Sequence, residues 1–525
     1  MASQQGICIN FGGCSKADKH EIVNIPQGAD LVCPECGSRL KVRQASSAIP
    51  RGLIVVGLVF VAMVIVGAWL VMHHKPVHVA HAPSPAATPT PAATVSRNVL
   101  LRFNGSNTIG AKLAPELVKS FLQQLGDTDV RIIRGANDEE STIEGQHGNT
   151  QDVVEIKAHG SANAFTSLQA GQSDIGMASR RIKPAEVQQL QPLLGDLTSN
   201  ASEHVLALDG VAVIVNQANV VRGLTMDQLA RIFAGEITDW SQVGGAGDPI
   251  SLYARDEKSG TFDFFNDSVL KPHGKRLAAL PAERRFDDST KLSDAVAADP
   301  GGIGFIGLPY VGANKALAIG DTGVTPRKPS VMTVKTEDYL LSRRLYLYTP
   351  ATAKNPNASK FIEFALAKTA QPIVTEVGFM GMDVSPLAAS DPKTVGTDDP
   401  RAASAQWRQL TSGAIELPTR LRFRSGSSQL DTRANRDIGR IDGLLSQPSY
   451  SGAKVILIGF ADSSGMPAAN KKLSEDRARI AGRELSPYGV NIATAAGLGA
   501  EAFVASNETP EGREKNRRVE VWLRK

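Results

Sequence analysis

The alternation of apolar and polar positions divides the chain into regions of different kinds. Residues 52–72 form a run of twenty-one residues without a single charge. As a helix this run is about 31 Å long, which matches the hydrocarbon core of a bilayer, so the pattern predicts one transmembrane helix. A cleavable signal peptide is the alternative, because Ala80-His81-Ala82 resembles a cleavage site. The run is long for a signal peptide, however, and it begins unusually far into the chain.

The charges around this run predict its orientation. Six Lys or Arg residues lie among the first 51 residues, whereas few follow the run closely. Because short cytoplasmic segments carry the excess of positive charge, the N-terminal side is expected in the cytoplasm. The sequence thus predicts a single-pass membrane protein with most of its chain on the outer side of the membrane.

Between 99 and 385, short apolar strands alternate with amphipathic helices. The strand Val99–Phe103 precedes a helix over 113–125 with one apolar face, and Val205–Leu208 and Val211–Val215 are expected to be two buried strands. This alternation favours a mostly parallel sheet with helices on both faces. About 285 residues are many for one lobe, so we expect a two-lobed α/β domain with a cleft.

The segments that flank this domain have the composition of spacers. Residues 73–98 are rich in Pro, Ala, Ser and Thr, and residues 386–411 are rich in Asp, Pro, Ala and Ser. Pro-rich segments stay extended because they cannot pack a core. They are predicted to be linkers, and the second is predicted to end in a short helix around Trp407.

Three turns of the α/β domain share one design. Gly105–Thr108, Gly160–Ala162 and Ser259–Thr261 each place hydroxyls and backbone N–H groups before a predicted helix. Helix N-termini bind oxyanions, because unsatisfied donors and the positive end of the helix dipole point to the same place. Arg255 adds a cation near the third turn. Taken singly, each turn is more typical of simple helix capping.

Together these turns resemble the phosphate-binding proteins of bacterial ABC-type uptake systems. The motifs that carry the resemblance are Gly105–Thr108, Gly171–Ser179, Arg255 with Ser259–Thr261, Gly301–Phe305 and Lys360–Ala365. The resemblance implies a type II periplasmic-binding-protein fold with phosphate or a similar oxyanion in the cleft. The candidate ligands are Ser106, Thr108, Ile109, Ser161, Ser179, Arg180, Arg255, Ser259, Gly260 and Thr261. Arg180 stands where the family has an Asp, so discrimination between phosphate and sulfate is expected to be weaker than in those relatives unless Asp174 or another acid has taken over the role.

The pattern of strands and helices in residues 412–525 predicts an α+β domain. A strand Lys454–Gly459 is followed by Asp462 and by a helix from about 467 to 485, on which Asn470 and Arg477 share one face. An isolated Asp and Arg are usually a surface ion pair. The motifs around 423, 459–478 and 516–520 nevertheless resemble OmpA-like peptidoglycan-binding domains. The resemblance implies a wall-peptide site, and its candidate residues are Asp462, Asn470, Arg477 and Arg517.

The first fifty residues hold all four cysteines of the chain. Cys8, Cys14, Cys33 and Cys36 form two pairs that could close on one tetrahedral zinc ion. The piece Cys-Pro-x-Cys-Gly resembles the second knuckle of zinc ribbons, although the first pair has a longer spacing than usual. The alternative is four free thiols. We expect residues 1–50 to be a zinc-ribbon-like cytoplasmic head.

Net charge and the lack of catalytic motifs argue against two classes of function. The formal net charge of +4 over 525 residues is too small to indicate a nucleic-acid partner. No motif pairs a nucleophile with a base, so an enzyme is not expected. The sequence therefore predicts a multidomain protein that binds an oxyanion, is tethered to peptidoglycan and acts in phosphate sensing or uptake, with a permease or signalling protein as a partner. The alternative is a structural tether with an empty cleft. Together with the membrane helix, the two resemblances imply a protein of the bacterial inner membrane, with its N-terminus in the cytoplasm and the bulk of its chain in the periplasm.

Overall fold

The computed structural model describes residues 4–8, 22–25, 32–35, 40–42, 96–135, 139–257, 259–286, 288–387, 399–424 and 427–525. The first four ranges hold a small antiparallel sheet of β1 (Gln4–Cys8), β2 (Ile22–Ile25) and β3 (Leu40–Val42), in the order β2-β1-β3. Cys33 is buried, but Cys14 and Cys36 lie outside the described residues. The zinc site therefore stays a prediction.

The α/β domain is built on an eleven-stranded sheet and a three-stranded one. Its strands are β4 (Ser96–Gly105), β5 (Thr128–Arg134), β6 (Glu140–His147), β7 (Thr150–Lys157), β8 (Ile175–Ala178), β9 (Glu203–Val215), β10 (Gly223–Thr225), β11 (Ser251–Arg255), β12 (Arg285–Phe286), β13 (Gly302–Gly307), β14 (Lys315–Ala316), β15 (Ala318–Asp321), β16 (Val324–Arg327) and β17 (Ser342–Tyr348). The large sheet has the order β12-β11-β13-β9-β17-β8-β4-β7-β6-β5, with β14 paired to β9. The small sheet is β10-β15-β16.

Helices cover these sheets. They are α1 (Asn107–Gly110), α2 (Leu113–Leu125), α3 (Ser161–Gln169), α4 (Pro184–Leu194), α5 (Met226–Phe233), α6 (Gly260–Phe265), α7 (Ser289–Ala298), α8 (Val331–Lys335), α9 (Pro356–Leu366) and α10 (Gln371–Val377). The apolar face of α2 packs on Phe361 of α9, where Phe121 meets its ring edge to face at 5.4 Å. The predicted helix over 113–125 is thereby confirmed.

Strand β9 connects the two lobes. Its first half pairs with β17, which with β4 to β8 forms the sheet of the first lobe. Its second half pairs with β13, which with β11 and β12 forms the sheet of the second lobe. The sequence predicted two strands here, but the structure has one strand of 13 residues, all of them buried. The sheet is also mixed rather than mostly parallel, because β9 and β17 run antiparallel to each other and β5, β6 and β7 form a meander. The two-lobed α/β architecture itself is as predicted.

The C-terminal domain has a four-stranded sheet in the order β18-β21-β19-β20. Its strands are β18 (Ile415–Arg422), β19 (Lys454–Gly459), β20 (Ile492–Gly497) and β21 (Arg518–Arg524). Helix α11 (Ala405–Thr411) precedes β18, and the other helices of the domain are α12 (Thr432–Leu445), α13 (Pro467–Leu485) and α14 (Pro510–Asn516). A Cβ at Gly459 would lie 1.9 Å from the carbonyl oxygen of Ser474. Glycine thus allows α13 to lie directly on the sheet.

Buried charges join the C-terminal domain to the α/β domain. Arg420 of β18 donates a hydrogen bond to Asp338 at 2.6 Å, and both side chains are at most 2% exposed. Arg344 of β17 bridges Glu337 and Asp431 at 2.8 Å to each. Burial alone would raise the pKa of Asp338, but the positive charge of Arg420 and its neighbours holds it well below the usual range. These pairs form a network sealed between the domains.

A second set of contacts lies along β9. Thr432 of α12 donates to the carboxylate of Glu203 at 2.6 Å, and Arg436 donates to Nδ1 of His204 at 2.9 Å. Because Nδ1 accepts that bond, His204 is neutral and its Nε2 donates to Thr349 Oγ1 at 3.0 Å. Burial and the charge of Arg436 lower the pKa of His204 to about 3. The C-terminal domain therefore rests on the strand that joins the lobes.

The membrane localisation predicted from the sequence is corrected by these findings. In the part of the chain that the structure describes, no helix is both long enough and apolar enough to cross a bilayer. Helix α13 has 19 residues, but eight of its side chains are charged, and a charge in the hydrocarbon core is costly. The prediction of a single-pass inner-membrane protein is not kept. The run 52–72 itself lies outside the described residues.

Candidate functional site

Three loops of the first lobe converge at the carboxyl end of β4. The amide of Ser106 donates to the carbonyl of Met177 at 2.8 Å, and the amide of Gly160 donates to the carbonyl of Gly105 at 2.8 Å. Gly105 has a φ of +135°, and a Cβ there would lie 2.0 Å from the Met177 oxygen. Only glycine fits at this crossing, because L side chains avoid that backbone conformation. The turns that begin α1 and α3 are thus held side by side.

The predicted hydroxyls of this lobe are partly grouped. Ser161 lies 3.1 Å from Ser179, oxygen to oxygen, and its Oγ accepts a bond from the Ser179 amide at 2.9 Å. Ser106 is buried, and Ile109 is buried on α1. Helix starts with hydroxyls beside them are suited to an oxyanion.

The second lobe meets the first at Thr108. Ser259 caps α6 by accepting a hydrogen bond from the amide of Thr261 at 3.2 Å. The next residue, Gly260, is so close to the first lobe that a Cβ on it would lie 1.9 Å from Thr108 Oγ1. Residues that are about 150 positions apart in the chain therefore face each other across a closed cleft, as the resemblance implies.

Arg343 and Asp209, which the sequence analysis missed, lie at the same place. Arg343 donates to Thr108 Oγ1 at 3.1 Å, and its Nε and Nη2 both donate to Asp209 Oδ2, at 2.9 and 2.7 Å. The guanidinium also lies over the ring of Phe264 of the second lobe, 4.6 Å from its centre. Arg343 therefore contacts both sides of the cleft. Its signal in the sequence was a charge within an apolar strand.

Arg255 reaches the cleft from the end of β11. Its guanidinium donates to Ser289 Oγ at 2.6 Å and to the carbonyl of Phe286 at 3.2 Å. Burial raises the pKa of Tyr310, and the charges of Arg255 and Asp209 both act on the same phenol. The positive charge of Arg255 lowers this pKa, whereas the negative charges of Asp288 and Asp209 raise it further.

Arg180 lies in a different arrangement from that of a ligand. It forms two hydrogen bonds with the carboxylate of Glu186, at 2.8 and 2.7 Å, and lies over the ring of Phe165 at 5.3 Å. Burial alone would raise the pKa of Glu186, but the hydrogen bond from Arg180 and that from the Lys183 amide lower it. The charge at Arg180 is thus neutralised locally.

The four predicted residues of the C-terminal site also come together. Asp462 follows β19 and accepts bonds from the Ser464 amide at 2.8 Å and from Arg517 at 2.9 Å. Asn470 donates to the carbonyl of Asp462 at 3.2 Å. Burial tends to raise the pKa of Asp462, but the hydrogen bonds from Ser464 and Arg517 lower it. The carboxylate is therefore a fixed negative charge.

Arg477 completes this site from α13. Its guanidinium lies 5.8 Å from the ring centre of Phe423, and its Nη1 is buried without a hydrogen-bond partner among the described residues. A buried donor without an acceptor is costly unless a ligand supplies one. Burial and the charge of Arg517 lower the pKa of Arg477, which is the direction expected for crowded cations. Two cations and one anion make the site net positive.

Comparison with known proteins identifies two family domains in the chain. Residues 126–369 match the model of the PBP superfamily domain, and residues 422–517 match that of the OmpA family. Protein SphX of Synechococcus elongatus is 32% identical over 249 residues, which are 45% of this chain and 71% of the relative. The phosphate-binding protein PstS of Pseudomonas aeruginosa is 28% identical over 244 residues, which are 43% of this chain and 73% of the relative.

Solved structures show a weaker likeness. An ABC-type phosphate transport receptor from Vibrio cholerae is 24% identical and covers 53% of this chain and 99% of its own, with a TM-score of 0.40. A score this low does not bear on the assignment, which depends on the sequence relatives. On those relatives, the chain belongs to the family of the PBP superfamily that includes SphX and PstS, and it carries an OmpA-family domain at its C-terminal end.

Proposed function

We propose that this chain binds inorganic phosphate between its two lobes and peptidoglycan through its C-terminal domain, so that a phosphate site is held at the cell wall. It acts by binding, in phosphate sensing or uptake, rather than by catalysis. The observation that carries the proposal is the junction at Thr108. There the start of α6 meets the first lobe at Gly260, and Arg343 donates to the same hydroxyl.

An anion at this junction meets donors of several kinds. Hydroxyls come from Thr108, Ser161 and Thr261, backbone amides come from the starts of α1 and α6, and a guanidinium comes from Arg255. Charge-assisted hydrogen bonds of this kind are roughly twice as strong as neutral ones. The ten ligands predicted from the sequence remain the proposed set, with Arg343 added. Arg180 contributes least, because Glu186 already holds it.

The C-terminal site is suited to a group that carries both charges. The buried Nη1 of Arg477 offers a donor to a carboxylate, and Asp462 offers an acceptor to an ammonium. The diaminopimelate of a wall peptide, which the OmpA resemblance implies, has both groups. A permease or signalling protein that takes up the phosphate, and a zinc ion in the N-terminal head, stay predictions.

Calorimetry on the full chain tests the phosphate proposal. Phosphate should bind to the parent, and Arg255→Ala should weaken binding more than Thr261→Ala does, because a guanidinium supplies charge and paired donors. We expect a loss of about 100-fold for Arg255→Ala and about tenfold for Thr261→Ala.

Arg276→Ala is the matched control, because that arginine is exposed on the second lobe. It should bind phosphate as the parent does. A parent that takes up no phosphate, or a larger loss for Thr261→Ala than for Arg255→Ala, would contradict the proposed site.

A further inference from the structure

One histidine and two aspartates form a cluster at the end of the first lobe that lies opposite the cleft. Asp127, His147 and Asp152 each offer a metal-ligand atom, and these atoms all lie within 4.8 Å of one another. The cleft begins at the carboxyl end of β4, near Gly105, whereas Asp152 lies near the start of β7 and pairs with Asn98 near the start of β4. The cluster is therefore separate from the proposed phosphate site.

The pairing of β6 with β7 puts two members of the cluster on one face of the sheet. Gly145 of β6 lies directly opposite Asp152 of β7, and His147 follows Gly145 by two residues. Side chains two positions apart on a strand share a face, and so do residues directly opposite each other on neighbouring strands. His147 and Asp152 therefore lie on the same side of the hairpin, beside the position that Gly145 leaves without a side chain.

The third member of the cluster comes from the end of α2. Gly126 ends that helix with a φ of +98°, and the amide of Asp127 donates to the carbonyl of Leu122 at 3.0 Å. A Cβ at Gly145 would lie 2.7 Å from Oδ2 of Asp127 and 2.9 Å from its Cβ. The Asp127 carboxylate thus fills the space over Gly145, next to Asp152.

The two oxygens of Asp127 differ in their partners. Oδ1 lies 2.8 Å from Nδ1 of His147, whereas Oδ2 is buried without a hydrogen-bond partner among the described residues. The Asp127 side chain is 0% exposed, so bulk water does not reach this oxygen. A buried acceptor without a donor is costly, and two carboxylates this close repel each other. A bound cation removes both costs.

The ligand atoms suit a zinc-like divalent ion. Imidazole nitrogen and carboxylate oxygen both bind zinc, and three such ligands leave the fourth tetrahedral position to water. An ion on Nδ1 of His147 replaces the proton there, and the ring keeps its proton on Nε2. The ring is 56% exposed, so the ion can enter from solvent. Asn98 donates to Oδ1 of Asp152 at 2.8 Å and orients that carboxylate.

We propose that Asp127, His147 and Asp152 bind one zinc-like divalent metal ion at the end of the first lobe opposite the cleft. The ion joins the end of α2 to the β6–β7 hairpin and so stabilises this lobe. The site depends neither on the proposed phosphate site nor on the zinc site predicted for the N-terminal head.

Calorimetric titration of the metal-free full chain with zinc tests this site. The parent should bind a zinc ion that His147→Gln and Asp152→Asn bind at least about tenfold more weakly, because loss of even an outer-shell partner typically costs about 10- to 100-fold in metal affinity. Zinc bound by the cysteines of the head would be the same in all these proteins, so only the difference between them counts. Zinc should also raise the melting temperature of the parent more than that of either variant.

His159→Gln is the matched control. His159 also pairs with a carboxylate, that of Glu140 at 3.0 Å, but it belongs to no group of three such ligands among the described residues. This variant should bind zinc as the parent does.

Equal zinc affinity of the parent and His147→Gln would overturn the site. A loss in His147→Gln without one in Asp152→Asn would also overturn it, because zinc would then be held by an exposed histidine alone. If Asp152→Asn does not fold, Asp127→Asn is measured in its place, and an unchanged zinc affinity of that protein would again contradict the proposal.

Discussion

The cleft and the C-terminal site use the same two side chains, arginine and aspartate, in opposite ways. In the cleft, Arg343 is bound to Asp209, so that each charge is neutralised by its partner. In the C-terminal site, Asp462 is bound to Arg517, and Arg477 keeps a buried donor without a partner among the described residues. The difference shows that the identity of charged residues does not define a site. Their partners do.

The largest expected effect is on stability, and it comes from disrupting the charged network between the α/β domain and the C-terminal domain. Arg420→Ala removes the guanidinium that donates to Asp338 between the domains, and the nearest remaining ion-pair partner of Asp338 is Arg422 at 4.0 Å. Such changes cost about 3–5 kcal/mol of stability. Denaturant unfolding should show a loss of this size, while phosphate affinity at 25 °C, measured on the folded protein, should stay within a factor of about three.

A matched control for that change is Arg483→Ala, because Arg483 is exposed on α13. Its free energy of unfolding should change by less than about 0.5 kcal/mol. An equally small change for Arg420→Ala would mean that the network between the domains does not hold them together.

The next largest effect is expected on peptidoglycan binding, through the buried Nη1 donor of Arg477. Arg477→Ala should weaken the affinity for purified peptidoglycan, measured by co-sedimentation, by about 2–3 kcal/mol, or roughly 30- to 150-fold. The reason is that a desolvated charged hydrogen bond is lost. Asp462→Ala should act in the same direction. Arg483→Ala should sediment as the parent does. Parent-like sedimentation of both site variants would show that the wall site lies elsewhere.

The smallest effect is a pH dependence of the stability of the fold, which comes from His204 and involves neither site. The pKa of His204 is about 3 in the folded chain and about 6.5 when unfolded. The unfolded state therefore binds the proton first as the pH falls, so stability decreases below pH 6.5 by up to about 1.4 kcal/mol per unit. Thermal unfolding of the parent between pH 7 and 5 should show this slope. The His204→Gln protein should lack it, and an equal slope in both proteins would contradict the assignment.

The C-terminal site could be predicted from the sequence because it is local. The predicted strand and helix agree with β19 and α13, and Asp462, Asn470 and Arg477 lie within 16 residues of one another. Gly459 and the face of α13 fix their relative positions. A motif of this kind contains most of its own geometry.

The cleft could be predicted only in part, because its missing members come from distant strands. Asp209-Gly210 resembles a turn between two strands, whereas Asp209 pairs with a residue 134 positions away. A Cβ at Gly210 would lie 2.6 Å from Val334, so glycine serves packing there. The partners that keep β9 continuous through these two residues become evident only in three dimensions. The network between the domains was unpredictable for the same reason.

The central claim, that one chain joins a phosphate site to a wall site, is tested most directly by pelleting. The full-length protein, radiolabelled phosphate and purified peptidoglycan are mixed and sedimented, and the label in the pellet is counted. The parent should carry phosphate into the pellet. Arg477→Ala should leave it in the supernatant while it still binds phosphate in solution, and Arg255→Ala should pellet without it. Phosphate that stays in solution when the parent protein pellets would contradict the account.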